Sequence, residues 1–278
     1  MSDWNLTQYL KFKAERTQPS IDLVKSISVT EPQNIIDIGC GPGNSTRVLK
    51  DRFSNARVIG ADFSPNMIEK AKKENPDLEF MAFDASRDFG ELDIKFDVVF
   101  SNACIQWVPN HKKLLADIMS VLNDGGMLAI QVPVTAEQDM SRVIHNVTSL
   151  PQWKKLQGAR NFYTLNDYEY FNILSKISSD FKIWKTIYYH RLPSHQSVLE
   201  WYRSTGLKPY FEKLDDTESA LFEKDILAEI EKQFPVQPNG EIIFRFPPTL
   251  FHGGKINRYR NCSLILLLDI ILKLCYNT

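Results

Sequence analysis

One glycine-rich turn near the N-terminus most constrains how this chain can fold. The largely apolar residues 34–38 predict a short strand, and Gly-Cys-Gly-Pro-Gly follows at once at 39–43. Glycine tolerates positive φ and lets a ligand approach the main chain closely. Asn44 and Ser45 are predicted to cap a helix that runs to Arg52. The free N–H groups at the start of that helix would attract a carboxylate or a phosphate.

The acidic end of the next strand narrows the choice of ligand. Residues 57–62 predict a second strand that ends in Asp62, and a carboxylate there accepts the ribose hydroxyls of an adenosine. NAD and S-adenosylmethionine both satisfy that condition. A dinucleotide turn needs a third glycine where this chain has Asn44 or Thr46. Because Asp37 can also face the ammonium or sulfonium charge, the turn favours S-adenosylmethionine, and NAD stays the alternative.

The order of the predicted elements specifies the fold class. Predicted strands and helices alternate at short spacing from residue 34 to residue 132. Such alternation predicts an α/β fold with a doubly wound, mostly parallel sheet. Ligands of these sheets bind at the carboxyl ends of the strands. The residues that stand at such ends are Asp37, Gly39, Asp62, Asp84 and Asn102.

Several segments resemble one enzyme family. The run 37–46 resembles the first motif of class I S-adenosylmethionine-dependent methyltransferases. Longer stretches are similar to the trans-aconitate 2-methyltransferase family, namely 1–5, 9–10, 14–16, 62–68, 102–107 and 188–196. The resemblance extends from residue 1 to about 250. It is expected to fail after Pro247, where the family continues with an apolar strand.

The resemblance implies S-adenosylmethionine as the cofactor and a Rossmann-like sheet whose seventh strand is antiparallel. It adds a methionine-carboxylate contact from Arg16 and a wall of the methyl-transfer path from Trp107. Asp84 and Ala85, at a strand end, are predicted to face the adenine. The full predicted cofactor set is Tyr9, Arg16, Asp37, Gly39, Cys40, Gly41, Asn44, Asp62, Phe63, Met67, Asp84, Ala85, Asn102, Ala103 and Trp107.

The chain divides into predicted regions by composition and pattern. They are an N-terminal helical lid at 1–30, the S-adenosylmethionine-binding core at 31–133, a helical cap insertion at 134–180, a C-terminal part of the sheet with substrate-side helices at 181–252, and an atypical tail at 253–278. Strand six is predicted at 181–190 and the start of strand seven at 241–246. Pro247-Pro248 and Gly253-Gly254 are predicted to interrupt that last strand.

The chemistry implied by the resemblance is esterification of a carboxylate of trans-aconitate. A carboxylate is already ionised at neutral pH, so no general base is required, and no catalytic residue is assigned. Cations and hydroxyl donors would bind the polycarboxylate, and the predicted set is Tyr163, Tyr168, Tyr188, His190, Arg191 and His195. Arg160, Arg203 and Arg245 are further candidates, whereas His145 is interpreted as an ordinary histidine.

Composition excludes several classes of protein. The formal net charge of -1 disfavours a nucleic-acid partner, and the four cysteines form no metal-binding spacing. We expect no metal, no stable membrane association and a cytoplasmic location, and the sequence does not give the oligomeric state. The remaining alternatives are another small-molecule methyltransferase, a NAD-dependent oxidoreductase and a non-catalytic chain with the same fold.

Overall fold

A twisted sheet organises the chain, and the computed structural model describes residues 12–134, 137–178, 180–203 and 205–255. The strands are β1 Asn34–Ile38, β2 Arg57–Asp62, β3 Glu79–Ala82, β4 Phe96–Asn102, β5 Leu122–Pro133, β6 Phe181–Lys185, β7 Tyr188–Leu192, β8 Ile242–Phe246 and β9 Pro248–Gly254. The α-helices are α1 Lys13–Lys25, α2 Asn44–Arg52, α3 Pro65–Glu74, α4 His111–Val121, α5 Asp139–Thr148, α6 Asp167–Ile177, α7 His195–Arg203, α8 Lys208–Phe211 and α9 Asp216–Gln233.

Seven strands form the main sheet in the order β3-β2-β1-β4-β5-β9-β6. The pairs from β3 to β5 are parallel, and β9 is antiparallel to both of its neighbours. The predicted fold class, with its antiparallel seventh strand, is therefore confirmed. The parallel strands are apolar on both faces because helices cover both sides of the sheet. One face packs against α4 and α6, and the opposite face packs against α1 and α2.

The prediction of strand six at 181–190 is wrong, because the chain forms two strands there. β6 lies at the edge of the main sheet, whereas β7 pairs with β8 in a separate two-stranded sheet. The small sheet packs with α5, α7, α8 and α9 around a second apolar core that includes Trp201 and Phe244. Alternation of side chains alone could not show that the chain changes sheets near Ile187.

The prediction for the seventh strand is also wrong in its position. Residues 242–246 form β8, and the antiparallel strand of the main sheet is β9, which begins at Pro248. Pro248 pairs with Pro133 at the end of the ladder, where neither ring interrupts a central hydrogen bond. Gly253 and Gly254 continue the strand beside β5 instead of breaking it. The expected loss of the family's last strand therefore does not occur.

Within the described part of the chain, no helix combines the length and the apolar character needed to cross a bilayer. The tail residues 256–278 lie outside the described residues, and so does the start of the predicted lid, including Tyr9.

The position of β9 between β5 and β6 generates a prediction about stability. Phe251 is fully buried and its ring centroid lies 5.0 Å from that of Tyr170. We expect Phe251→Ala to lower the free energy of unfolding by about 3 to 5 kcal/mol, because it leaves a cavity in the core. Urea unfolding measures this change. Ile243→Ala, at an exposed position of β8, is the control and should change stability by about 0.5 kcal/mol or less. Equal effects of the two variants would contradict the placement of β9.

Candidate active site

A buried carboxylate anchors the glycine turn to the sheet. Asp37 lies near the carboxyl end of β1, between Ile36 and Ile38, and its Oδ2 accepts hydrogen bonds from Ser45 Oγ at 2.6 Å and Thr46 Oγ1 at 2.7 Å. Burial raises the pKa of Asp37 to about 6, against the lowering effect of those two hydroxyls. The other oxygen, Oδ1, is buried and has no partner in the described residues. Asp37 therefore fixes α2 and keeps one acceptor available.

The helix after the turn begins differently from the prediction. Its N-cap is Gly43, whose φ of 89° is left-handed, and no side chain caps the helix. Asn44 and Ser45 are therefore not the caps that the sequence predicted. The Ser45 hydroxyl is not free to cap, because it donates to Asp37.

Two glycines of the turn are required for different reasons. Gly39 has a φ of 74°, and a Cβ on it would stand 2.2 Å from both Cβ and Sγ of Cys104, so any side chain would collide. Gly41 has a φ of 54°, and no heavy atom lies within 4 Å of the place where its Cβ would stand. Gly39 therefore allows close packing of β1 against the segment after β4, and Gly41 borders open space.

The acid at the end of β2 is held by the turn itself. Asp62 Oδ2 accepts from the Gly41 N–H at 2.9 Å, and its Oδ1 accepts from the Ser64 N–H at 2.8 Å. Burial raises the pKa of Asp62, and these two hydrogen bonds oppose that rise. Phe63 is exposed next to it, whereas Met67 is buried in α3. The carboxylate is thus oriented at the strand end, where both of its oxygens can accept further hydrogen bonds from the hydroxyl groups of a ligand.

Asp84, just past β3, is oriented in a similar way. It accepts from the backbone N–H and the hydroxyl of Ser86 at 2.9 and 2.6 Å, and Arg87 lies 3.3 Å from its other oxygen. The Ser86 hydroxyl is the main reason that the pKa of Asp84 is lowered. Ala85 beside it is buried. Asp84 is therefore ionised at the rim of the sheet.

The ends of β4 and β5 add a pair of amides. Asn102 and Gln131 are register partners in neighbouring parallel strands, so their side chains lie on the same face. The Asn102 Oδ1 and both amide atoms of Gln131 are buried and have no partner in the described residues. Ala103 follows with a φ of 53°, and its N–H donates to the Gln131 carbonyl at 3.0 Å. Sequence reasoning missed Gln131, although it is the polar residue in the apolar run 127–132.

A cavity of about 450 Å³ opens just past the end of β5, where Val134 lines it. It is lined by Val134, Arg160, Phe162, Thr164, Leu165, Asn166 and Glu169. Phe162 packs edge-on against Trp107 with ring centroids 4.5 Å apart, and the Tyr163 N–H donates to the Gln106 carbonyl at 2.9 Å. Trp107 closes a short 3-10 turn, Ile105–Trp107, that follows β4. We call this space the Arg160 cavity.

Arg160 is the one cation among the lining residues that the structure describes. Its guanidinium lies over the Phe162 ring, 4.5 Å from the centroid, and donates to the Gly206 carbonyl at 3.3 Å. No carboxylate within the described ranges forms an ion pair with it. Glu169 is already engaged, because its side chain accepts from the Asn166 N–H at the start of α6. The cavity therefore combines a guanidinium that has no ion-pair partner in the described residues with a lining that is part apolar and part polar.

Comparison with known proteins decides the family. The "Methyltransferase domain" family matches residues 35–126. Trans-aconitate 2-methyltransferase of Escherichia coli strain K12/DH10B is 37% identical over 248 residues, which are 89% of this chain and 96% of that protein. The enzyme of the same name from Shigella flexneri is 36% identical with the same coverage. The chain belongs to the trans-aconitate 2-methyltransferase family.

Solved structures with low sequence identity share the fold. The YcgJ protein of Bacillus subtilis has a TM-score of 0.56 at 14% identity, over 86% of this chain and 98% of that one. The Haemonchus contortus phosphoethanolamine N-methyltransferase 2, solved with S-adenosyl-L-methionine, has a TM-score of 0.54 at 20% identity, over 86% of this chain and 52% of that one.

As a class I methyltransferase, the protein uses S-adenosylmethionine as its methyl donor. The strand ends fit that group chemically. The α-amino acid end of the donor carries an ammonium, which needs acceptors such as Asp37 Oδ1 and Asn102 Oδ1, and a carboxylate, which needs a donor such as Gln131 Nε2. These buried polar atoms would otherwise stay without hydrogen bonds, which is costly.

The structure does not bring the six predicted substrate residues together. Along β7, His190 points inward and Arg191 outward, because neighbouring residues of a strand face opposite sides. Arg191 is exposed and makes two 2.8 Å hydrogen bonds to Glu241. His195 Nε2 bonds the Phe234 carbonyl at 2.7 Å, so it holds α7 in place.

The remaining candidates are dispersed. Tyr188 and His190 line a second cavity of about 340 Å³ with Glu15, Gln18 and Tyr189. Tyr168 is 83% exposed on α6, and Tyr163 is 41% exposed beside the Arg160 cavity. Arg203 pairs with Glu223, Arg245 pairs with Asp139, and His145 is exposed.

Arg16 lies on α1 and contacts the small-sheet core. Its Nη2 donates to the Trp201 carbonyl at 2.9 Å, and the guanidinium lies 5.0 Å from the Trp201 ring centroid. The predicted contact from Arg16 to the methionine carboxylate stays a prediction. No group of three His, Cys, Asp or Glu side chains in the described residues could hold a metal ion.

Asp37 generates a prediction with a defined pH dependence. Because its pKa is raised from 3.8 to about 6, the ionised carboxylate opposes folding above pH 6, and this cost fades as the pH falls through 6 towards 3.8. Asp37→Asn removes the charge and keeps an oxygen acceptor for Ser45 and Thr46. At about pH 7.5 we expect a gain in unfolding free energy of about 1 to 3 kcal/mol. Calorimetry should show weaker binding of S-adenosylmethionine.

Asp51→Asn is the matched control, since Asp51 lies at the exposed end of the same helix, α2. It should change neither the unfolding free energy nor the affinity for the donor. A loss of stability in Asp37→Asn at neutral pH would show that the ionised carboxylate stabilises the fold and would contradict this account.

Proposed function

We propose that this methyltransferase esterifies one carboxylate of trans-aconitate, or of a closely related small polycarboxylate. The observation that carries the proposal is the Arg160 cavity, which places an unpaired guanidinium next to the strand ends that fit the donor. Arginine binds carboxylates with two parallel hydrogen bonds. The family relatives with 37% identity carry the name trans-aconitate 2-methyltransferase, which supports the same substrate.

The donor-binding roles follow from the strand ends. We assign the ribose hydroxyls to Asp62, the adenine amino group to Asp84, and the amino acid end to Asp37, Asn102 and Gln131. Asp62 and Asp84 are each held by hydrogen bonds from the chain, so their oxygens are oriented before a ligand binds. Gly41 borders the open space where the donor would pass the turn.

The chemistry requires positioning more than acid or base catalysis. S-adenosylmethionine, when bound, supplies an electrophilic methyl carbon. A carboxylate oxygen of the acid is ionised near pH 7 and can attack that carbon directly, so the chain need not remove a proton. Arg160 holds a second carboxylate, and Trp107 with Phe162 excludes water from one wall of the path. The expected gain comes from proximity and desolvation.

The direct test is methyl transfer to trans-aconitate, followed by mass spectrometry of the product. The proposal predicts a monomethyl ester and S-adenosylhomocysteine in equal amounts. A panel of other acids, amines and phenols is assayed in parallel. Turnover of an amine or a phenol with no ester formed would contradict the proposed substrate class and leave the methyltransferase assignment unchanged.

Arg160 gives a sharper prediction about the acid. We expect Arg160→Met to raise the KM for trans-aconitate about tenfold to a hundredfold, the loss of one charge-assisted contact. The KM for S-adenosylmethionine should change less than about twofold, because the cation does not face the donor in this assignment. Steady-state kinetics with each substrate varied in turn measure both values.

Arg57→Met is the matched control, since Arg57 forms an exposed ion pair with Glu79 at the opposite end of the strands. It should leave both KM values unchanged. Arg191→Met separates the structural assignment from the one made on sequence. A large rise in the KM for the acid in Arg191→Met, with none in Arg160→Met, would move the substrate site to the small sheet.

A further inference from the structure

A buried histidine and a buried tyrosine join α6 to the turn Ile105–Trp107, on which the lining residue Phe162 packs. His111, the first residue of α4, and Tyr170, in α6, are 2% and 0% exposed. His111 Nδ1 lies 2.8 Å from the Tyr170 hydroxyl, and its Nε2 lies 2.8 Å from the Ile105 carbonyl oxygen. The two rings are stacked, with centroids 5.7 Å apart. One side chain therefore connects α6 to the turn after β4.

The directions of these hydrogen bonds follow from the partners. The Ile105 carbonyl can only accept, so His111 Nε2 must carry a hydrogen and donate it. Burial lowers the pKa of His111, so the neutral ring leaves Nδ1 as an acceptor. The Tyr170 hydroxyl then donates to Nδ1. Both nitrogens of the ring are satisfied by two different segments of the chain.

Each end of this connection supports part of the segment that lines the cavity. Ile105 opens the 3-10 turn that ends at Trp107, and Trp107 packs edge-on against the lining residue Phe162. At the other end, Tyr170 lies near the start of α6, and its N–H donates to the carbonyl of Asn166 at 3.1 Å, a residue that also lines the cavity. The hydrogen bonds of His111 therefore join the two places that support the lining segment 160–169.

Packing alone does not account for this pair. His111 and Tyr170 lie between apolar neighbours, and Tyr170 packs on Phe251 at 5.0 Å. A phenylalanine would fill the Tyr170 site equally well without a hydroxyl that needs partners. Fully satisfied buried polar networks fix one arrangement of the groups that they join. The groups joined here are α6 and the turn Ile105–Trp107, which support the lining of the Arg160 cavity at Asn166 and at Phe162.

We propose that His111 and Tyr170 are positioning residues that hold Arg160 and Trp107 at the spacing the acid requires. This inference rests on the proposed function for the identity of the acid, but not for the existence of the clamp. The acid would contact Arg160, and the buried pair would act on it only through the two supports of the lining segment 160–169.

Two variants test the clamp in the full chain. Tyr170→Phe removes only the hydroxyl and leaves His111 Nδ1 without its donor. His111→Gln keeps a side-chain N–H near the position of Nε2 but loses the link to Tyr170. For both we expect the KM for trans-aconitate to rise about tenfold, the effect of one unpaired buried group. The KM for S-adenosylmethionine should change less than about twofold. The double variant should lose no more than either single variant.

His252→Gln is the matched control. His252 is a partly buried histidine of β9 that packs against Trp184 near the opposite end of the sheet. His252→Gln removes an imidazole from the main sheet without touching the lining of the Arg160 cavity. Its two KM values should match those of the unaltered chain.

Hydrogen–deuterium exchange makes the test independent of the substrate. Tyr170→Phe should speed amide exchange in 105–107 and in 160–166 together, with the strands of the main sheet unchanged. A purely local role for Tyr170 would raise exchange in α6 alone. Faster exchange throughout the sheet would mean that Tyr170→Phe loosens the whole fold. In that case His111→Gln decides: faster exchange confined to 105–107 and 160–166 supports the clamp, and faster exchange throughout the sheet contradicts it.

The outcomes separate this inference from the proposed function. If the unaltered chain does not methylate trans-aconitate, the proposed function fails, and the exchange pattern still tests the clamp. If it does methylate the acid, and both variants keep the normal KM and normal exchange in the two segments, the clamp is overturned and the proposed function stands.

Discussion

The glycine turn depends on a single buried carboxylate. Asp37 accepts both hydroxyls of the first turn of α2 through one oxygen, so the helix, the glycine turn and β1 are fixed as one unit. The cost is an acid buried where water cannot solvate it, which its raised pKa expresses. Its second oxygen faces the place where the donor's charged end is expected. The buried charge of Asp37 thus lowers the stability of the fold, and binding of the donor next to it can restore that stability.

The proposed binding roles fall to two different parts of the chain. The ends of β1 to β5 supply the acids and amides that suit S-adenosylmethionine, and the segment between α5 and α6 supplies Arg160. Two hydrogen bonds fix the turn Ile105–Trp107. His111 Nε2 donates to the Ile105 carbonyl, and the Tyr163 N–H donates to the Gln106 carbonyl. Donor and acceptor are therefore expected to meet over this turn.

The sequence could predict the parallel half of the fold well, because continuous apolar strands leave few alternatives. The predicted bounds 57–62 of β2 are confirmed. The predicted caps of α2, Asn44 and Ser45, are wrong, because Gly43 caps that helix. The prediction failed for β9, because prolines and glycines normally end a strand. Here Pro248 stands opposite Pro133 at one end of the ladder, and Gly253 and Gly254 stand at the other end. The proposed regional boundaries at 134 and 180 stay a prediction.

The site was predictable where the fold determines it and not elsewhere. Asp62 and Asp84 follow from strand ends alone. Arg191 did not reach a cavity, because alternation along β7 turns it away from His190 and Glu241 already neutralises it. Gln131 and the link between His111 and Tyr170 depend on strand register and on helix packing, which residue spacing does not contain.

The most direct measurement is a crystal structure of the chain with S-adenosylhomocysteine and trans-aconitate bound. We expect the ribose oxygens to lie on Asp62 and the amino acid end beside Asp37, Asn102 and Gln131. One carboxylate of the acid should lie on Arg160, and the nearest of its other carboxylates should face the sulfur. A ternary complex with the acid bound on the small sheet at Arg191, or with Asp37 and Gln131 untouched by the donor product, would contradict the account.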